Sequence, residues 1–152
     1  MKASGTFAFL ALVWLAFAGC DGCGGSSLAR IQLEAIEVVA IDPNYFEDDT
    51  LTDIVQGSVD LYANIYVNDE LYFSSSVNED AQLPASLDMG GLGFLGIELE
   101  QTTRIVLFDE DVSTTEDYVG EVAIELGTLL EDEPSRHTLT SGALQVDLLL
   151  RW

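Results

Sequence analysis

From residue 31 onward, apolar and polar residues follow a two-residue period over most of the chain, the signature of pleated strands with one buried face. The clearest case is residues 59–67, where Leu61, Ala63, Ile65 and Val67 share one face and Tyr62, Asn64 and Tyr66 the other. Residues 31–41 form a second predicted strand, rich in β-branched side chains. Asn68-Asp69 predicts a tight hairpin turn from the 59–67 strand into another over residues 70–77. A polar segment, residues 78–82, then leads through Pro84 to a glycine-rich apolar stretch over 89–99. That stretch lacks the lysine and following helix of a phosphate loop, so it reads as a glycine-relaxed strand or bulge. Apolar runs at 103–108 and 119–126 flank an acidic loop, Leu139 closes a short strand, and residues 144–152 make a last one. In the last strand Leu144, Val146, Leu148, Leu150 and Trp152 share a face. Helical periodicity is absent apart from one turn over residues 127–133, which points to an all-β antiparallel sandwich.

The N-terminus follows a different logic. Met1-Lys2 precedes an apolar run over residues 7–18, too short to span a bilayer and suited to an export leader. Phe17-Ala18-Gly19-Cys20 resembles the lipobox of bacterial lipoproteins, with Phe17 where leucine is usual. That resemblance implies a lipoprotein signal peptide over residues 1–19, cleavage before Cys20 and lipidation of Cys20; an ordinary signal peptide is the other reading. Residues 20–29 are glycine- and serine-rich and make a flexible tether. Residues 30–152 then suit one domain. Of the two cysteines, Cys20 is committed to the lipid and Cys23 lies in the tether, so no disulfide staples the core.

Charge narrows the list of partners. The chain carries a formal net charge of −22. Loss of the leader leaves four arginines against 27 acidic residues. Nucleic acid binding requires cations that neutralise phosphates, and this chain has almost none. Many of the acids simply keep a protein soluble, yet two loops concentrate them. Asp109, Asp111 and Asp117 stand at i, i+2 and i+8 on the loop between two strands, and Asp53 and Asp60 belong to a loop that follows the first strand. Should these five converge, repulsion decides the outcome: two unit charges ~4 Å apart cost about 4 kcal/mol at an effective dielectric near 20. Such a cluster takes up protons or a cation. With one histidine and no paired cysteines, its oxygen ligands suit Ca²⁺ rather than Zn²⁺.

The stretch 105–126, with its Asp-x-Asp-x5-Asp-x-x-Gly core, resembles the third calcium-binding loop of C2 domains, the sandwich modules of synaptotagmins and protein kinases C. Gly57-Ser58-Val59-Asp60-Leu61-Tyr62 is similar to their Gly-x-Ser-Asp-Pro-Tyr signature in the first loop. The resemblance implies an eight-stranded antiparallel β-sandwich with a C2-like Greek key over 30–152, preceded by a signal peptide. It implies Asp60 as the first-loop aspartate, Asp53 as its upstream partner, and Asp109, Asp111 and Asp117 as third-loop ligands for Ca²⁺. Leu61 stands where the family has proline, and Val59 separates Ser58 from Asp60. The gap from Asp53 is therefore one residue longer, with Asp49 as a substitute ligand. The lysine-rich strand with which many members bind phosphoinositides has no counterpart in residues 70–77. One strand before the first loop and one at the end resemble the circularly permuted, type II order.

Two functional classes follow. The first is a calcium-binding C2-like module tethered by its N-terminal lipid anchor to a bacterial cell envelope, on the periplasmic face or at the outer membrane or cell surface. Its partners are then phospholipid headgroups or an envelope protein. The second is a calcium-independent protein-interaction sandwich that binds through the face carrying Tyr62 and Tyr66. Catalysis is not expected: His137 has no nucleophile motif beside it.

Overall fold

The computed structural model describes residues 30–42, 59–94, 97–110 and 117–152. The expected leader, the tether with Cys20, and Asp49, Asp53 and Asp111 lie outside the described residues, as does the side chain of Asp117.

Among the described residues, nine strands form two antiparallel sheets, with one short helix beside them. They are β1 (Gln32–Ala40), β2 (Val59–Val67), β3 (Glu70–Ser74), β4 (Asn78–Ala81), β5 (Ala85–Gly93), β6 (Thr103–Asp109), β7 (Asp117–Ile124), α1 (Leu126–Asp132), β8 (Arg136–Ser141) and β9 (Leu144–Arg151). One sheet runs β5-β1-β9-β8 and the other β3-β2-β6-β7, with β4 also paired to β2. Because β3 and β4 border the same edge of β2 in succession, the nine segments fill the eight expected strand positions. Ser75 bridges the break between them, donating its N–H to the Ala63 carbonyl and accepting the Ala63 N–H on its hydroxyl. The first and last strands pair along nearly their whole length.

The alternation in sequence becomes the inner faces of both sheets. Leu61, Ala63 and Ile65 from β2, with Ile105 and Leu107 from β6, have no exposure and meet Ile36, Val146 and Leu148 of the facing sheet. The Asn68-Asp69 turn has positive φ at both residues, 48° and 66°, as a two-residue hairpin with right-handed strand twist requires. The glycine-rich stretch is β5, with a bulge where expected. Leu33 pairs with Leu92 and Ala35 with Asp88, so two extra residues are accommodated at Gly90-Gly91, both at positive φ. Helix α1 is too short to be stable alone and is held by buried Leu126 and Leu129.

Two stretches differ from the pattern. The polar segment at 78–82 supplies an edge strand, β4, whose hydrogen bonds go to β2 rather than to a loop. The outward-facing residues of β2 are also covered: Tyr62 and Asn64 are 7% and 8% exposed. Phe108 on the neighbouring strand stacks on Tyr62, and the hydroxyl of Tyr66, on β2 itself, lies 3.5 Å from Asn64 Nδ2.

Candidate metal centre

The end of β6 and the beginnings of β2 and β7 lie side by side. Leu61 pairs with Asp109, and Asp109 with Asp117, so Asp60, Asp109 and Asp117 stand on three adjacent strands at one end of one sheet. Adjacent strands are ~4.8 Å apart, the scale on which carboxylates interact strongly. Leu61, in the family's proline position, is a fully buried core residue, as Val59 nearly is at 6% exposure. Their packing sets where Asp60 emerges.

Hydrogen bonds orient the two described carboxylates. Asp109 is 7% exposed, and its Oδ1 accepts the backbone N–H of Asp60 at 2.8 Å. Asp60 Oδ1 accepts the N–H of Asp80 at 2.7 Å, and its carbonyl accepts the N–H of Glu110 at 2.9 Å. The ends of β2, β4 and β6 are thus cross-linked through the carboxylates themselves. A carboxylate offers two oxygens and about four lone-pair sites, so one backbone bond does not exhaust it as a ligand. Asp80, with φ 52°, is a contributor that sequence reasoning missed. Its contact uses a backbone N–H, and its only trace in sequence is the tolerance of aspartate for the left-handed region.

The donor chemistry fits a hard cation, with carboxylate and carbonyl oxygens and neither imidazole nor thiolate on these strand ends. His137 sits on β8 in the other sheet, beside a depression of ≈340 Å³ between β7 and β8. Ca²⁺ requires six to eight oxygens. Among the described residues no three acidic, histidine or cysteine side chains gather as a metal cluster. The described strands therefore contribute two oriented carboxylates and the position of a third. Asp53 and Asp111 lie outside the described residues. Gly120, the glycine of the third-loop motif, has a packing reason: a Cβ there would stand 3.0 Å from Leu144 Cδ2 of the facing sheet. A bulge at Val119 reconciles that approach with the register, since Leu107 pairs with Gly120 but Phe108 with Tyr118.

Positive charge is fully engaged among the described residues. Arg30 pairs with Glu133, Arg151 with Glu34, and Arg136 with Glu37 and Asp147. Arg104 pairs with Asp69 and Glu121 and lies 4.7 Å from the centre of the Tyr66 ring. Burial lowers its pKa, but hydrogen bonds and charges from Asp69 and Glu121 outweigh that and raise it above the ordinary arginine value. Each guanidinium thus has an acidic partner, and the described residues present no cluster of unpaired cations to a phosphate.

No family model matches the chain, and no curated protein does. Solved structures do. The two tandem C2 domains of extended synaptotagmin 2 match with a TM-score of 0.52 and 20% identity, covering 99% of this chain and 47% of that one. A calcium-bound structure of the same pair of domains matches with a TM-score of 0.53 and 23% identity, covering 80% of this chain and 44% of that one. The chain thus spans less than half the length of these structures. Its fold is that of a C2 domain.

Proposed function

We propose that this chain is a Ca²⁺-binding C2 module, held at a bacterial cell envelope through acylated Cys20, that associates with membrane or an envelope protein when calcium is bound. The observation that carries the reading is the placement of Asp60 and Asp109 on neighbouring strand ends, oriented by backbone N–H groups, beside the start of β7 at Asp117. Asp53, Asp111 and Asp117 complete the ligand set in this reading. A bound calcium supplies the positive charge that makes the crowded carboxylates tolerable. The chain's own residues supply the oxygens and hold them in place, which lowers the ordering cost of binding. A calcium-bound relative in fold is consistent with this chemistry.

Because every described arginine is paired, anionic headgroups find no basic patch here. Membrane association therefore depends on calcium or on the lipid at Cys20, and no catalytic role is assigned. Sites of extracellular modules bind at ~10⁻⁴–10⁻³ M, so calorimetric titration of the full chain with CaCl₂ is expected to give a dissociation constant in that range. Absence of binding heat at millimolar calcium, with an unchanged melting temperature, favours the calcium-independent alternative. The tether has its own test. Cys20→Ser is expected to move the protein from the membrane fraction to the soluble or secreted fraction, read by fractionation and by mass spectrometry of the N-terminal peptide.

A further inference from the structure

The outer face of the sheet β3-β2-β6-β7 carries aromatic and aliphatic side chains beside Asn64, Arg104 and Glu121, where an antiparallel sheet turned to solvent is ordinarily polar throughout. Tyr62, Phe108 and Tyr118 form one cross-strand row. The first two stack at 5.4 Å and 20°, and the third meets Phe108 edge-on at 6.4 Å. The next rows bring Val106 beside Asn64, then Tyr66 beside Leu71. Tyr118 and Leu71, at opposite ends of this face, are 56% and 57% exposed. Leu71 also borders a depression of ≈320 Å³ at the β3 edge, lined with it by Val67, Asn68, Glu70, Tyr72, Ile97 and Gln101.

We infer that this face docks a basic polypeptide segment that presents apolar side chains, and that it does so without calcium. Its own cation, Arg104, is already committed to Asp69 and Glu121, so the charge left on and around the face is acidic. The net charge of −22 opposes a second copy of the chain and an anionic bilayer, and attracts a cation-rich segment. Tyr66 and Phe108 are half-buried and Tyr118 is exposed, so the face offers aromatic surface of the kind that favours a lysine or arginine beside it. Aromatic side chains at the centre of a patch with a polar rim are the composition of binding hot spots.

The test uses the full chain in calcium-free buffer at physiological salt. The probes are short synthetic peptides alternating lysine with leucine, lysine with serine, and glutamate with leucine. Binding is followed by fluorescence anisotropy and by NMR shifts. The lysine–leucine peptide is expected to bind and to shift amides of β2, β6 and β7. Leu71→Ser and Ala123→Arg lie on exposed outer positions, and each is expected to weaken it at least about tenfold, ~1.4 kcal/mol, with an unchanged melting temperature. Equal binding of the lysine–serine peptide with no effect of either variant would mean charge attraction alone, and the inference fails. It fails equally if the glutamate–leucine peptide binds as well, if phosphatidylserine vesicles shift these amides without calcium, or if the chain self-associates through this face.

Discussion

Saturating calcium is expected to raise the melting temperature of the wild-type chain by roughly 10 °C, and Asp60→Asn or Asp111→Asn to abolish that rise. The magnitude follows from linkage. A ligand that binds only the folded state adds ~2.7 kcal/mol at 100 times its dissociation constant. For a domain of this size each kcal/mol corresponds to about 3–5 °C. The substitutions remove one anionic ligand while keeping side-chain volume, so the calcium-free melting temperature should change little for Asp111. Asp60 is more informative, because its Oδ1 also accepts the N–H of Asp80. An asparagine oxygen can keep that bond, so a lost calcium response with an intact fold separates ligation from scaffolding. Differential scanning fluorimetry with and without calcium reads both quantities. Magnesium serves as the control, since its smaller octahedral shell suits flexible carboxylate loops poorly.

The second large effect concerns Asp109 and is read as a difference between two substitutions. Asp109→Ala and Asp109→Asn both remove one negative charge, so relief of repulsion from Asp60 cancels in the comparison. They differ in the acceptor offered to the N–H of Asp60, which the buried Asp109 carboxylate holds at 2.8 Å. Asparagine still offers that donor a neutral oxygen, whereas alanine leaves it unmade in a buried site, at a cost of ~1–3 kcal/mol. Calcium-free Asp109→Ala is therefore expected to melt roughly 5–10 °C below Asp109→Asn. Neither variant should respond to calcium. Equal melting temperatures would show that the Asp109 carboxylate does not tie β6 to β2.

The strands were legible where one face meets the core. In β2 the alternation of Leu61, Ala63 and Ile65 is the inner face of the sandwich, and Asn68-Asp69 is the turn its composition announces. β4 was not legible, because its asparagine, glutamate and aspartate show no apolar period and only Ala81 at its end reaches the core. The burial of Tyr62 escaped for a related reason. It arises from stacking against Phe108 on the neighbouring strand, and a period along one strand carries no record of what stands beside it. Of the site, the spacing in sequence located Asp60, Asp109 and Asp117 at strand ends, and the sheet register sets those ends side by side. The backbone bonds that orient Asp60 and Asp109 had no sequence signal. The Asp109 bond joins positions 49 residues apart on β2 and β6, and the Asp60 bond joins β2 to β4 across 20 residues, so both depend on strand pairing rather than on local sequence.

A crystal structure determined with calcium present tests the central claim most directly. The account predicts an ion within about 2.3–2.6 Å of carboxylate oxygens from both Asp60 and Asp109, with further oxygens from the two acidic loops. Calcium density elsewhere on the molecule, or none between these two side chains at saturating concentration, would contradict it.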